Sequence, residues 1–319
     1  MYLALNKSTQ LLIEAEDLRF ISKKDMPEFC CPDENCGIPF IPASYQIQNK
    51  NRPHFRKNGE HSDKCKLSKY AKLLETGSRR RITLEEFENM PVPTKLVKPK
   101  LKKTVDENRP SIVSDIDETS SYKTKGNNGV FDETNSNFKN VTTISQITDF
   151  YLKFYFNRDI ELDLLGTVKQ YRYWFKQLKN TLEKPEPQEY KIYIGQLSQK
   201  SDSLVENDKE IRIRLYDCER LQEISTGVKS TTKLEQVNPF FLTISKDGLS
   251  ANKITRIKHE MEYALHDQKK AYLERIKSKD LPLIFFLGRK KSADNRFEYE
   301  VLEGYFVARY ATIKQTVSK

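Results

Sequence analysis

Four of the five cysteines and two of the four histidines in this 319-residue chain fall within residues 30–65, a stretch reading FCCPDENCGIPF and, further on, RPHFRKNGEHSDKC. No other feature constrains the fold as strongly. Cys31-x4-Cys36 offers two thiolates on one tight loop, and His61-x3-Cys65 offers a second pair spaced to converge on the same ion. A closed tetrahedral set of this kind leaves no position for water or substrate, so it is structural rather than catalytic. The expected cofactor is zinc, with Cys31, Cys36, His61 and Cys65 as ligands. Clustered thiols can also be core filler. Here they are surrounded by Pro32, Asp33, Glu34, Asn35 and Gly37, a polar loop that cannot bury itself. Two alternatives stay open. Cys30 adjoins Cys31, although Pro32 stiffens the turn after Cys31; His54 competes with His61, although Phe55 beside it suggests packing.

The segments ALNKSTQLLIEAEDL, CCPDENCGIPFIP and PHFRKNGEHSDKC together resemble the N-terminal zinc module of the competence protein CoiA family. In that pattern a short hairpin precedes a two-cysteine knuckle and a His-Phe pair closes the module. The resemblance covers about the first 70 residues and is most specific at the Cys-Pro knuckle and at Pro53-His54-Phe55-Arg56. The x4 spacing and the His61/Cys65 pair depart from it. Members of the family carry a nuclease-like domain after this module, and the rest of this chain is not matched to it. The resemblance therefore implies DNA-related biology and not, by itself, catalysis.

Charge points the same way. The chain carries 55 Lys and Arg against 45 Asp and Glu, a net of +10. Residues 49–103 hold 16 basic and 6 acidic side chains, also a net of +10, so this stretch accounts for the whole imbalance. A basic field concentrated on one module is the footprint of phosphate binding, which makes DNA the expected partner and a protein the alternative. Arg79, Arg80 and Arg81, with Lys98, Lys100, Lys102 and Lys103, are the candidate phosphate contacts. No run is apolar for the 18 or more residues of a membrane span, and the N-terminus lacks a basic start followed by an apolar stretch. With the clustered thiols committed to a metal and Cys218 alone, a reducing cytoplasm is the expected compartment.

The length suits two domains, and the reading is an α+β chain in three parts. Residues 1–90 form the zinc module, with a hairpin at its start and a helical extension interrupted at Gly77. Residues 91–140, rich first in Pro and Lys and then in acids, Ser, Asn and Gly, read as a flexible basic linker. Residues 141–319 form a helical pair plus an OB-like β-barrel. The first helix carries Ile144, Ile147, Phe150, Tyr151 and Phe154; the second, LGTVKQYRYWFKQLKN, carries Leu165, Val168, Tyr171, Trp174, Phe175 and Leu178. Strands are predicted at 192–194, 210–216, 240–244, 283–287 and 297–310, the last bent at Gly304, with a long helix over 251–277 between the third and fourth. That order of elements is the order of an OB-fold.

On the second of these strands Arg212, Arg214 and Tyr216 alternate with Ile211, Ile213 and Leu215, so the first three are predicted to face a bound strand. Tyr193, Tyr305 and Tyr310 are further candidates for base stacking. A Mg-dependent nuclease would need two carboxylates and a lysine, and Glu189-Tyr190-Lys191 with Asp163 is the nearest approach to that set. An HNH site at His54, Asn58 and His61 would need a histidine on a helix where turn-forming residues stand. His259 and His266 lie seven apart without a further ligand beside them.

Overall fold

In the computed structural model, residues 2–46, 48–49, 51–88, 92–96, 140–141, 143–181, 188–197, 204–222, 234–273 and 280–313 are described. The N-terminal sheet comprises β1 (Leu3–Asn6), β2 (Leu12–Glu14), β3 (Phe29–Cys30), β4 (Pro39–Ala43) and β5 (His54–Lys57), in the order β2-β1-β3-β4-β5. All its pairings are antiparallel. The predicted opening hairpin is present. Its turn is fixed by Asn6, whose Oδ1 accepts from the Ser8 and Thr9 amides (3.0 and 3.3 Å). Phe29, Phe40 and Phe55 make its core with Leu18, Cys31 and Cys65.

Next come helices α1 (Lys66–Gly77) and α2 (Leu84–Glu88), broken at Gly77 as predicted. The break has a packing cause. A Cβ on Gly77 would lie 2.2 Å from the ring of Phe154, so only glycine lets the end of α1 sit against that ring. Two hydrogen bonds from the buried Asn157 side chain then clamp Ile82: its Nδ2 donates to the carbonyl (2.7 Å) and its Oδ1 accepts from the amide (3.0 Å).

The proline-lysine stretch is not solvated where it is described. Val92, Pro93 and Leu96 are buried, and β6 (Lys95–Leu96) lies between β7 (Asn140–Val141) and β8 (Glu161–Leu164) in a four-stranded sheet completed by β9 (Thr167–Gln170). The remainder of the expected linker, with Lys98, Lys100, Lys102 and Lys103, lies outside the described residues.

The first predicted helix is present as α3 (Ile144–Lys153). The second is not. Leu165 and Gly166 both take positive φ (57° and 78°) and form a two-residue turn joining β8 to β9, where Leu164 pairs with Thr167. Only Tyr171–Trp174 is α-helical, as α4, followed by β10 (Phe175–Gln177) and a 3-10 turn over Leu178–Thr181. Paired positive-φ residues favour a hairpin whose twist matches its strands. Tyr171 and Trp174 share the short turn and fill one core with Phe175, whereas Leu178 lies beyond β10 and belongs to the other.

The largest sheet has seven strands in the order β10-β11-β15-β16-β14-β13-β12. Its members beyond β10 are β11 (Lys191–Gln196), β12 (Leu204–Glu206), β13 (Glu210–Gln222), β14 (Leu234–Ser245), β15 (Leu281–Lys290) and β16 (Glu298–Ala311), with helix α5 (Ala251–Leu273) between β14 and β15. β14 and β16 are parallel, whereas β11/β15, β15/β16 and β13/β14 are antiparallel. No continuous ladder closes this sheet among the described residues, so the expected barrel is not found as such. One isolated antiparallel bridge, Leu197 to Leu215, joins the end of β11 to the middle of β13. Leu283, Phe285 and Leu287 face one apolar cluster while Ile284 and Phe286 face another, which explains the unbroken apolar run of β15. The bend at Gly304 is also present. Between Gly288–Val301 and Phe286–Phe306 the register shifts, and Glu303 and Gly304 take positive φ.

The N-terminal region is tied to this sheet by a partly buried network of charges. Nη1 of Arg52 donates to both carboxylate oxygens of Glu260 on α5 (2.9 and 2.8 Å), and Nη2 donates to the Ala308 carbonyl on β16 (3.0 Å). Glu260 also accepts from the Ala308 amide (2.8 Å). Arg256 pairs with Glu14 and lies 3.6 Å from Asp17, Thr143 donates to Glu14 (2.9 Å), and Arg52 lies over the Tyr263 ring at 4.5 Å. Glu16 sits within this network, 3.9 Å from Arg52. Burial, then the charge of Glu260, pushes its carboxyl up to about 7.

Candidate metal centre and nucleic-acid surfaces

Cys31, Cys36, His61 and Cys65 are brought together, their ligand atoms all within 4.8 Å of one another. Cys31 Sγ lies 3.8 Å from Cys65 Sγ, and His61 Nδ1 lies 3.3 Å from the sulfurs of both Cys36 and Cys65. A tetrahedral ion with metal–sulfur bonds of about 2.3 Å has ligand–ligand edges of about 3.8 Å, so the tetrad fits and could hold a metal ion. It is the only group of three or more potential ligands among the described residues. The alternatives fall away on geometry. Cys30 is committed to β3, and the ring of His54 bonds the Arg52 carbonyl (3.1 Å).

The sequence reading missed the residue that shapes this site. Asp33 is buried, and its two carboxylate oxygens accept from the amides of Asn35 (2.9 Å) and Lys66 (2.8 Å). One contact folds the knuckle, where Gly37 adopts φ +60°; the other satisfies an orphan amide in the first turn of α1. Cys65 is the residue that caps α1, so the same aspartate holds both ligand pairs in register. The Asp two residues after Cys31 was the available signal.

The four groups are shifted in different directions. Burial pushes the Cys31 and Cys65 thiols up. Burial acts the same way on Cys36, yet bonds from the Ile38 and Ser62 backbone outweigh it and hold that thiol below its ordinary value. Burial and Lys57 lower His61, keeping the ring in the neutral form that ligates.

The predicted phosphate contacts separate. Arg80 is paired with Glu86, and Arg81 with Asp159 and the Phe156 carbonyl (3.2 Å), so two of the three arginines hold α2 and its neighbours in place. Arg79 is exposed. On β13, Ile211, Ile213 and Leu215 are buried while Arg212 and Arg214 are half-buried and Tyr216 is exposed, the predicted alternation. Arg212 pairs with Glu298 (2.6 Å) and lies 4.2 Å over the Phe241 ring, which fixes its direction. Tyr193 and Tyr305 are buried and offer no stacking face.

The nuclease constellation does not assemble. Asp163 stands opposite Val168 across the β8/β9 hairpin and pairs with Lys95 (3.0 Å), whereas Lys169, which holds Glu189 (3.2 Å), stands opposite Leu162. Neighbouring residues of a strand point to opposite faces, so the two carboxylates are directed apart. No helix among the described residues is long and apolar enough to cross a membrane. Comparison with family models, curated proteins and solved structures finds no match for this chain.

Proposed function

We propose that this chain is a zinc-containing DNA-binding protein whose outer β13 face takes single-stranded DNA, acting as an accessory factor in defence, recombination or DNA uptake. The observation that carries the reading is the sheet itself. Taking β11, β13, β14, β15 and β16 as strands one to five, their order is one-four-five-three-two, strands three and five run parallel, and a helix joins three to four. This order supports the reading of an OB-like fold, with the Leu197–Leu215 bridge in the place where a barrel would close. In such folds the second and third strands carry the oligonucleotide. Here those strands are β13 and β14, where Arg212, Arg214 and Tyr216 project outward. Arginine supplies phosphate pairing, which at Arg212 means exchanging Glu298 for the phosphate, and an exposed tyrosine supplies stacking of about 1–3 kcal/mol per base.

Three thiolates and one imidazole are the donor set of a structural zinc site, so zinc is the ion proposed. It would cross-link the knuckle to α1 and leave no open position for chemistry. The resemblance to the CoiA-family module agrees with DNA-related work. Titration of a labelled oligothymidylate at two salt concentrations tests the reading. Binding should weaken as salt rises, and Arg212→Ala with Arg214→Ala should reduce affinity. Absence of binding at low salt would overturn it.

A further inference from the structure

We infer that helix α1 carries a second contact, a row of cations that holds the backbone of duplex DNA without reading its sequence. The inference rests on the nucleic-acid reading above and adds a substrate form to it. Lys66, Lys69 and Lys72 recur every third residue and form one ridge of α1, and Arg79 follows just past its end. Lys69, Lys72 and Arg79 are exposed, and none has an ion-pair partner among the described residues. This sets them apart from Arg80, Arg81, Lys57 and Arg212, each of which is held by a carboxylate. A cation already paired within the protein must give up that partner to take a phosphate. An unpaired one releases counterions from the nucleic acid at no such cost.

The mounting of α1 is rigid at both ends. Its first turn is fixed by Cys65 and Asp33 at the metal centre, and its last turn seats Gly77 on Phe154. Between them, Tyr70, Leu73 and Leu74 pack against the apolar cluster of the C-terminal region. That packing excludes a lipid surface as the partner of choice, because an interfacial helix needs its apolar face free to enter the membrane. No large apolar or aromatic residue on α1 is strongly exposed, so bases have nothing to stack on. A partner whose bases are already stacked in a duplex, presenting only phosphates, fits the row.

The test compares the intact protein with K69Q/K72Q/R79Q on a blunt 20-base-pair duplex and on oligothymidylate, over a range of salt. Three lost phosphate contacts should reduce the slope of log affinity against log salt on the duplex by about 2.7, so the advantage of the native protein falls on the order of 40-fold between 50 and 200 mM salt. Oligothymidylate binding should be unchanged, and K69R/K72R/R79K should keep the native duplex slope. If the native protein binds duplex and the glutamine variant keeps its slope, α1 is not the contact and the β13 reading stands alone. Loss of the slope in the charge-retaining variant also overturns the inference. Binding of neither DNA form by the native protein removes the nucleic-acid reading itself. Capture by vesicles of phosphatidylserine and phosphatidylcholine without duplex binding assigns the row to membranes instead.

Discussion

The N-terminal module and the C-terminal sheet reach order by different means. Among the described residues, the module's core holds eight buried apolar side chains, two of them the ligands Cys31 and Cys65. The rest of the chain, from Ile82 onward, holds two clusters of 21 and 18. A core as small as the first cannot offset the entropy of ordering its chain, which is why small domains recruit metals. The second closes around Phe285, Phe286, Tyr299 and Tyr171 from apolar burial alone. What joins them is the Arg52–Glu260 network together with the packing of α1, through Tyr70, Leu73, Leu74 and Gly77, on the larger core.

Removing the metal should therefore divide the molecule. Structural zinc supplies roughly 10–16 kcal/mol in small finger peptides, so Cys36→Ser, or chelation, should unfold the module while the large sheet persists. Hydrogen exchange resolved by segment would show it: β1 to β5 lose protection, and β11, β15 and β16 keep theirs. Loss of protection in both regions would mean that the sheet depends on the module and the contrast is false.

Breaking the join is the next largest effect. Arg52→Ala leaves Glu260 buried with less compensation, a change that typically costs about 3–5 kcal/mol. The module should stay folded and metal-loaded but exchange faster at β16 and α5. Unchanged exchange there would show the network to be incidental.

The network also carries a pH dependence. A folded-state carboxyl raised from 4.5 to about 7 contributes stability that is fully present below 4.5 and lost as pH rises to about 7. Glu16→Gln removes that loss, so the variant should match the native protein near pH 4.5 and exceed it by up to about 3 kcal/mol above pH 7. Denaturant titrations at both ends of the window decide it. A variant less stable than the native protein at pH 8 would mean the Glu16 carboxylate is net attractive to Arg52.

The ligands were legible in the sequence because a metal site imposes local spacing: Cys31/Cys36 and His61/Cys65 each converge within one turn of chain. The strands were legible where one face is buried, as in the alternation of β13. Other features were hidden because their partners are remote. Arg81 is spent on Asp159, 78 residues away, and Arg52 on Glu260, 208 residues away. The β8/β9 hairpin was misread for a local reason. Leu165 occupies a positive-φ turn position that a leucine seldom takes, and the aromatics that follow it happen to recur at helical spacing.

The central claim, that the outer face of β13 holds a single strand, is tested most directly by photo-cross-linking. Bromouracil-substituted oligodeoxynucleotide would be bound to the zinc-loaded protein, irradiated and mapped by mass spectrometry. The account predicts cross-links at Tyr216, lost when Arg212 and Arg214 are replaced by alanine. Efficient cross-linking confined to residues away from β13 and β14 would contradict it.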